Sequence, residues 1–285
     1  MTNDGTVAPA ATRRVVGRAS VNGITIGYDD VGEGDDALVL VHGHPFDRSM
    51  WRPQLATLGR PGWRVIAPDL RGYGASSIVT GTTAFAVFAG DLAALLDHLG
   101  VRAAVFAGLS MGGQIVMEFC RLHPERVRGL VLAATFPQPE SEEGRRNRHA
   151  MADRLLREGM APYAAEVLPK MVAPRNLVAV PGVAAHVLTM MRGAPPAGAA
   201  AALRGRAERP DYAATLAGLA VPALVVVGDE DAFTTRADAE RMRDLLGGGA
   251  ELVWMERVGH MPNLENPAAF NAAVARLLAA VAAHD

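Results

Sequence analysis

Gly108-Leu109-Ser110-Met111-Gly112-Gly113 follows the apolar run 103–107 and precedes a helical pattern over 114–122. A serine on so tight a strand-to-helix turn needs small residues two positions to either side, where a side chain would strike the bent backbone. Gly108 and Gly112 supply them. The helix that follows turns free N–H groups and the positive end of its dipole toward a developing oxyanion, and the Met111 N–H is the first such donor. In a chain with 30 glycines the competing reading is a chance G-x-S-x-G, and the strand-turn-helix setting favours a nucleophile.

A serine nucleophile needs a base, and the base an orienting carboxylate. Of the eight histidines, His98 and His123 fall on helical patterns or their ends, His149 and His186 in a proline-rich segment, and His284 one residue from the terminus. These read as surface or packing residues. His260, in Val258-Gly259-His260-Met261-Pro262-Asn263, follows the strand pattern 252–255 and precedes the last helix, so it sits in a loop at a strand's carboxyl end. For the acid, Val227-Gly228-Asp229-Glu230-Asp231 offers three successive carboxylates, one to accept the imidazole N–H and two as solvated turn residues. A second oxyanion donor is expected from His42-Gly43-His44-Pro45-Phe46-Asp47, where the His44 N–H is favoured, Phe46 is the fallback and Pro45 has no N–H. His42 and His44 as a metal pair is the weaker reading, since such sites need three or four ligands; no metal and no cofactor is expected.

These residues need a scaffold that brings strand ends together. Residues 15–21 and 24–30 flank Asn22-Gly23 as a hairpin, and 37–41, 65–67, 103–107, 130–134 and 223–227 are continuous apolar runs. Runs without alternation mean that both faces are covered, as in a parallel sheet with helices on each side. Helical patterns at 50–58, 84–99, 112–122, 237–246 and 267–282 intervene, so an α/β, doubly wound, mostly parallel sheet is expected, with chemistry at the carboxyl ends of its strands. The alternation fails over 137–215, which carries nine prolines and no strong strand candidate. That segment is too long for a structureless loop and reads as several short helices forming a lid after the sixth strand. The expected organisation is a flexible 1–14, a core of 15–136 and 216–285, and a helical cap at 137–215.

Taken together, His42-Gly43-His44-Pro45, Asp69-Leu70-Arg71-Gly72-Tyr73-Gly74-Ala75-Ser76, the Ser110 motif, Gly228-Asp229-Glu230-Asp231 and Gly259-His260 resemble the α/β-hydrolase superfamily. The resemblance covers 15–278 apart from the insertion. It implies Asp231 rather than Asp229 as the acid, the His44 N–H in the oxyanion hole, and a structural role for Asp69–Ser76. It also argues against dehalogenase and epoxide hydrolase chemistry, whose nucleophile is an aspartate where this chain has Ser110. Within the serine branch the run from His260 to Pro267 is similar to small esterases and enol-lactonases. The expected function is therefore hydrolysis of a carboxylic ester or lactone through an acyl-enzyme on Ser110, His260 and Asp231. Alternatives are an acyltransferase or macrocyclase, a carbon–carbon bond hydrolase using the same triad, and a non-catalytic ligand-binding protein, against which the intact triad argues. Expected pocket residues are Phe46, Trp51, Met111, Phe136, Phe233 and Met261. Met160, Met171, Met190 and Met191 either join them or pack the lid's own interior. Arg192, Arg204 and Arg206 are candidates to meet a substrate carboxylate, but arginine is too common in this chain to argue from.

Composition sets outer bounds. With 28 basic against 30 acidic side chains the net charge is −2, which gives no electrostatic basis for binding nucleic acid. The one cysteine, Cys120, permits no intrachain disulfide. The start of the chain lacks the basic-then-apolar pattern of a signal peptide, and no apolar run reaches the roughly 20 residues of a membrane span. A cytoplasmic protein acting on a small molecule with an apolar acyl or alcohol part, without nucleic-acid or membrane partners, is expected. Monomer and homodimer are both compatible with the sequence.

Overall fold

Asn22 and Gly23 take positive φ, 47° and 75°, and turn β1 (Arg14–Val21) back on β2 (Ile24–Val31) as the hairpin their types predict. The computed structural model describes residues 13–247 and 249–284, so the flexible start expected at 1–14 lies outside the described residues up to position 12. Arg14 corrects that boundary. It pairs with Val31 as the first residue of β1.

The other strands are β3 (Glu33–Val41), β4 (Pro61–Pro68), β5 (Ala104–Leu109), β6 (Val127–Ala133), β7 (Ala223–Gly228) and β8 (Ala250–Met255). Their order in the sheet is β1-β2-β4-β3-β5-β6-β7-β8, antiparallel across β1, β2 and β4 and parallel from β4 to β8. This is the doubly wound, mostly parallel sheet read from the unbroken apolar runs. Alternate residues serve two cores. Val39, Val41, Phe106 and Leu132 pack with α2 (Phe85–His98) and α3 (Met111–Leu122). Leu38, Leu40, Val105 and Ala107 pack with α1 (Arg52–Leu58) and, near the chain's end, Pro267–Ala282.

Six helices lie between β6 and β7: α4 (Glu142–Glu158), α5 (Met160–Met171), α6 (Asn176–Ala179), α7 (Pro181–Gly193), α8 (Pro196–Ala207) and α9 (Ala213–Ala217). Four of them run to 12 residues or more: Pro181 and Pro196 open α7 and α8, where a missing N–H removes no hydrogen bond, α4 contains no proline, and α5 accommodates Pro169 near its end. Ser141 caps α4 by accepting the Gly144 N–H at 3.0 Å. Helix α4 packs on α8 and α5 on α7. After β7 come α10 (Arg236–Leu245), then β8, α11 (Pro262–Glu265) and α12 (Pro267–Ala282). No helix among the described residues is long and apolar enough to cross a membrane.

Candidate active site

Four loops at the carboxyl ends of β3, β5, β7 and β8 meet over the parallel strands. Ser110 stands between β5 and α3 with φ 56° and ψ −118°, a conformation that non-glycine residues rarely adopt. Three hydrogen bonds hold its backbone: its N–H donates to the Ala133 carbonyl at 2.9 Å, and its carbonyl accepts from the Thr135 hydroxyl at 2.8 Å and the Gln114 N–H at 3.2 Å. The glycine requirement read from the sequence has a visible cause. A Cβ at Gly112 would lie 2.2 Å from the Val41 carbonyl oxygen, and one at Gly108 2.5 Å from the carbonyl oxygen of Gly112. Larger residues would push β5 and α3 off the neighbouring strand.

His260 and Asp231 meet as expected. The imidazole Nδ1 is 2.9 Å from Oδ1 and 3.0 Å from Oδ2 of Asp231, and both side chains are buried. Asp231 Oδ1 also accepts the N–H groups of Phe233 and Thr234, at 2.8 and 3.2 Å. Burial alone would raise this carboxyl's pKa, but His260 and those two amides outweigh it and hold the carboxyl below its ordinary range. Asp229 instead accepts the Val258 N–H at 3.2 Å and braces the loop. Ser110 and His260 line one cavity of about 390 Å³, and of the histidines only His44 joins them there.

The loop after β3 comes close to the nucleophile: a Cβ on Gly43 would be 3.3 Å from that of Ser110. His42 is a brace, with Nε2 accepting the Leu70 N–H and Nδ1 at the Gly43 carbonyl, both at 2.9 Å. His44 is buried, its Nδ1 2.8 Å from the Tyr73 hydroxyl and its Nε2 without a partner among the described residues. Burial, reinforced by the fields of Arg206 and Arg148, puts its pKa well below that of an ordinary histidine, so the ring is neutral. Met111 is the first residue of α3, and a helix gives its first N–H groups no internal acceptor. The Asp69–Ser76 stretch is a turn: Asp69 accepts from the N–H groups of Arg48 at 2.8 Å and Ala75 at 2.7 Å, and Ser76 donates to the Asp69 carbonyl.

Of the expected pocket residues, Phe136 and Phe233 line the cavity, the Phe233 ring lying 4.8 Å from that of His260. Phe46, Trp51 and Met261 do not. They are at most 1 % exposed and belong to the core beneath the sheet, where Trp51 packs on Phe270. Their loops border the site, but their side chains are buried in that core, a direction that sequence spacing does not encode. The Met111 side chain likewise enters the opposite core. Of the four methionines, Met171 lines the cavity, while Met160, Met190 and Met191 are buried elsewhere in the cap and core; Met151 takes a place on the wall.

Several participants went unread. Tyr163, Glu140, Arg148 and Lys170 line the cavity from the helical segment, and Arg206 is the one of its three suspected arginines that does so. Arg192 is exposed, and Arg204 pairs with Asp153 at 2.7 Å. Glu265 orders the histidine loop, Oε1 accepting from Gly259 and Met261 and Oε2 from Ala173 and Asn176, all at 2.8–3.1 Å. A carboxylate at the end of so short a helix was the only signal.

Comparison with known proteins agrees with this fold. Residues 38–273 match the Alpha/beta hydrolase family. The chain is 29% identical over 254 residues to 3-oxoadipate enol-lactonase 2 of Acinetobacter baylyi, an alignment covering 88% of this chain and 92% of that one. Among solved structures, a thermophilic esterase from Thermogutta terrifontis superposes with a TM-score of 0.88 at 36% identity, covering 95% of this chain and 99% of that one. The enol-lactonase from Burkholderia xenovorans LB400 superposes with a TM-score of 0.85 at 30% identity, over 92% and 100% of the two chains.

Proposed function

Because the chain belongs to the alpha/beta hydrolase family, as an enzyme of its esterase and lactonase type, we propose that it cleaves a carboxylic ester or lactone through an acyl-enzyme on Ser110. The observation that carries this reading is that His260, which lines the cavity with Ser110, is paired with the buried Asp231. His260 Nε2 takes the hydroxyl proton as Oγ bonds to the substrate carbonyl carbon, and the carbonyl π electrons move onto oxygen. The backbone N–H groups of Met111 and His44 face that oxyanion. Collapse breaks the bond to the alkoxy oxygen, which leaves with the proton from His260; in a lactone it remains tethered to the acyl group. Water, deprotonated by the same imidazole, attacks the acyl-enzyme, and its collapse returns the proton to Ser110. Asp231 keeps the Nδ1 proton in place throughout. The segment 137–215 serves as the lid, supplying walls from α4, α5 and α8, and the apolar part of the substrate lies against Phe136, Met151, Val167 and Phe233.

The test is intact-mass analysis after exposure to a fluorophosphonate, paired with hydrolysis of short p-nitrophenyl esters, for wild type and Ser110→Ala. One adduct and ester turnover in wild type, both lost in the variant, are expected. An unlabelled, inactive wild type would overturn the reading in favour of a ligand-binding protein on this fold.

A further inference from the structure

The wall of the cavity built by the helical segment carries more positive charge than it neutralises. Glu140 is the only carboxylate among the residues lining it. Its Oε1 is 3.2 Å from Arg148 Nε and 3.0 Å from Arg209 Nη1, which occupies that oxygen. Arg206 Nε is 3.8 Å away, beyond hydrogen-bonding distance, and has no hydrogen-bond partner among the described residues. Arg206 is only 8 % exposed, so water does not neutralise it as it would a surface arginine. Three guanidinium groups thus share one carboxylate, and Lys170 at the cavity adds another cation. A buried charge left unpaired is strongly unfavourable, and such a group is retained where something else pairs with it.

Arg206 is also held in place. Helix α8 lies so close to the sheet domain that a Cβ on Gly205 would come within 1.6 Å of the Thr83 carbonyl oxygen, and the Thr83 N–H donates to the Ala201 carbonyl at 3.0 Å. These contacts fix the backbone from which the Arg206 side chain extends, and its planar guanidinium offers two parallel donors, the geometry that carboxylates accept. The influence of Arg206 and Arg148 on His44 puts both within electrostatic reach of the oxyanion loop.

We propose that Arg206, with Arg148 beside it, binds a carboxylate carried by the substrate, so that the enzyme's preferred esters or lactones are anionic. The inference rests on the esterase and lactonase reading and names the substrate class of that site. At about 390 Å³ the cavity has room for one short molecule that carries both the reacting carbonyl and this carboxylate.

Two matched pairs of esters test it: 4-nitrophenyl hydrogen succinate against 4-nitrophenyl butyrate, with the carboxylate on the acyl side, and 4-acetoxybenzoate against 4-methylphenyl acetate, with it on the leaving group. In at least one pair, wild type should hydrolyse the anionic member with a kcat/KM tenfold or more above its neutral partner. That ratio should fall at least tenfold in Arg206→Met and in Arg148→Met, with partial recovery in Arg206→Lys. Arg148 is partly exposed, so its variant keeps the test open if Arg206→Met fails to fold. Preference for the neutral member in both pairs, or a preference for the anionic one that survives both methionine substitutions, overturns the proposal and leaves the esterase reading standing. If no ester is turned over the esterase reading fails instead, and calorimetric titration with glutarate decides the anion site alone. Binding by wild type that Arg206→Met loses supports the proposal, and no binding overturns it.

Discussion

At Asp231 a few contacts link the proposed chemistry to acid stability. The carboxylate accepts from His260 and two backbone amides, and those contacts keep it ionised despite burial. Asp231→Asn preserves the shape but supplies an N–H where an acceptor is needed, so kcat should fall by roughly 10³–10⁴, measured on the ester that wild type turns over best. The same contacts have a defined pH dependence. A carboxyl whose folded pKa lies below its unfolded value of about 3.9 stabilises the fold fully above that value, and the contribution is lost as pH falls through the folded pKa. Urea unfolding of wild type and Asp231→Asn between pH 7 and pH 3 should show a constant stability gap down to about pH 5 and a narrowing one below it. A gap that widened on acidification would mean that the carboxyl is protonated in the fold.

At the scale of the element, the turn from β5 to α3 trades stability for geometry. Ser110 at φ 56° is held against its preference by the packing of Gly108 and Gly112 against neighbouring backbone. Such strain costs about 1–3 kcal/mol, and glycine relieves it at an entropic cost of roughly 0.5–1 kcal/mol. Ser110→Gly should therefore raise stability by about 1 kcal/mol in denaturant melts while abolishing fluorophosphonate labelling. Gly112→Ala should do the reverse, destabilising the fold by about 3 kcal/mol, because its methyl meets the Val41 carbonyl rather than a side chain that can turn away. Equal melting of wild type and Gly112→Ala would show that α3 can shift freely.

The whole molecule is a sheet domain whose strand ends carry Ser110, Asp231 and His260 and a helical segment whose inner wall carries the charge. Helix α8 joins the two by backbone contact at Gly205 and Ala201, so the wall keeps one position relative to the strand ends. Gly205→Ala should lower the melting temperature by roughly 5 °C and release amide protection in α8 and around Thr83 while β5 stays protected, read by hydrogen exchange. Uniform loss of protection across both regions would mean that they unfold as one unit.

Composition and spacing by themselves determined the sheet and the loops that carry Ser110 and His260, because continuous apolar runs and tight-turn glycines are local signals, whereas the choice of Asp231 among three successive carboxylates came from the family resemblance. Helix lengths in 137–215 were less legible, since a proline that opens a helix and one that ends it look alike in sequence. Only the tertiary structure decided which side chains face the cavity. Phe46, Trp51 and Met261 turn into the core although their neighbours form the site, and Arg206 turns inward although it looks like every other arginine in the chain. Direction and pairing arise from how α4, α5 and α8 pack across the strand ends, contacts between residues far apart in the chain that no local pattern records.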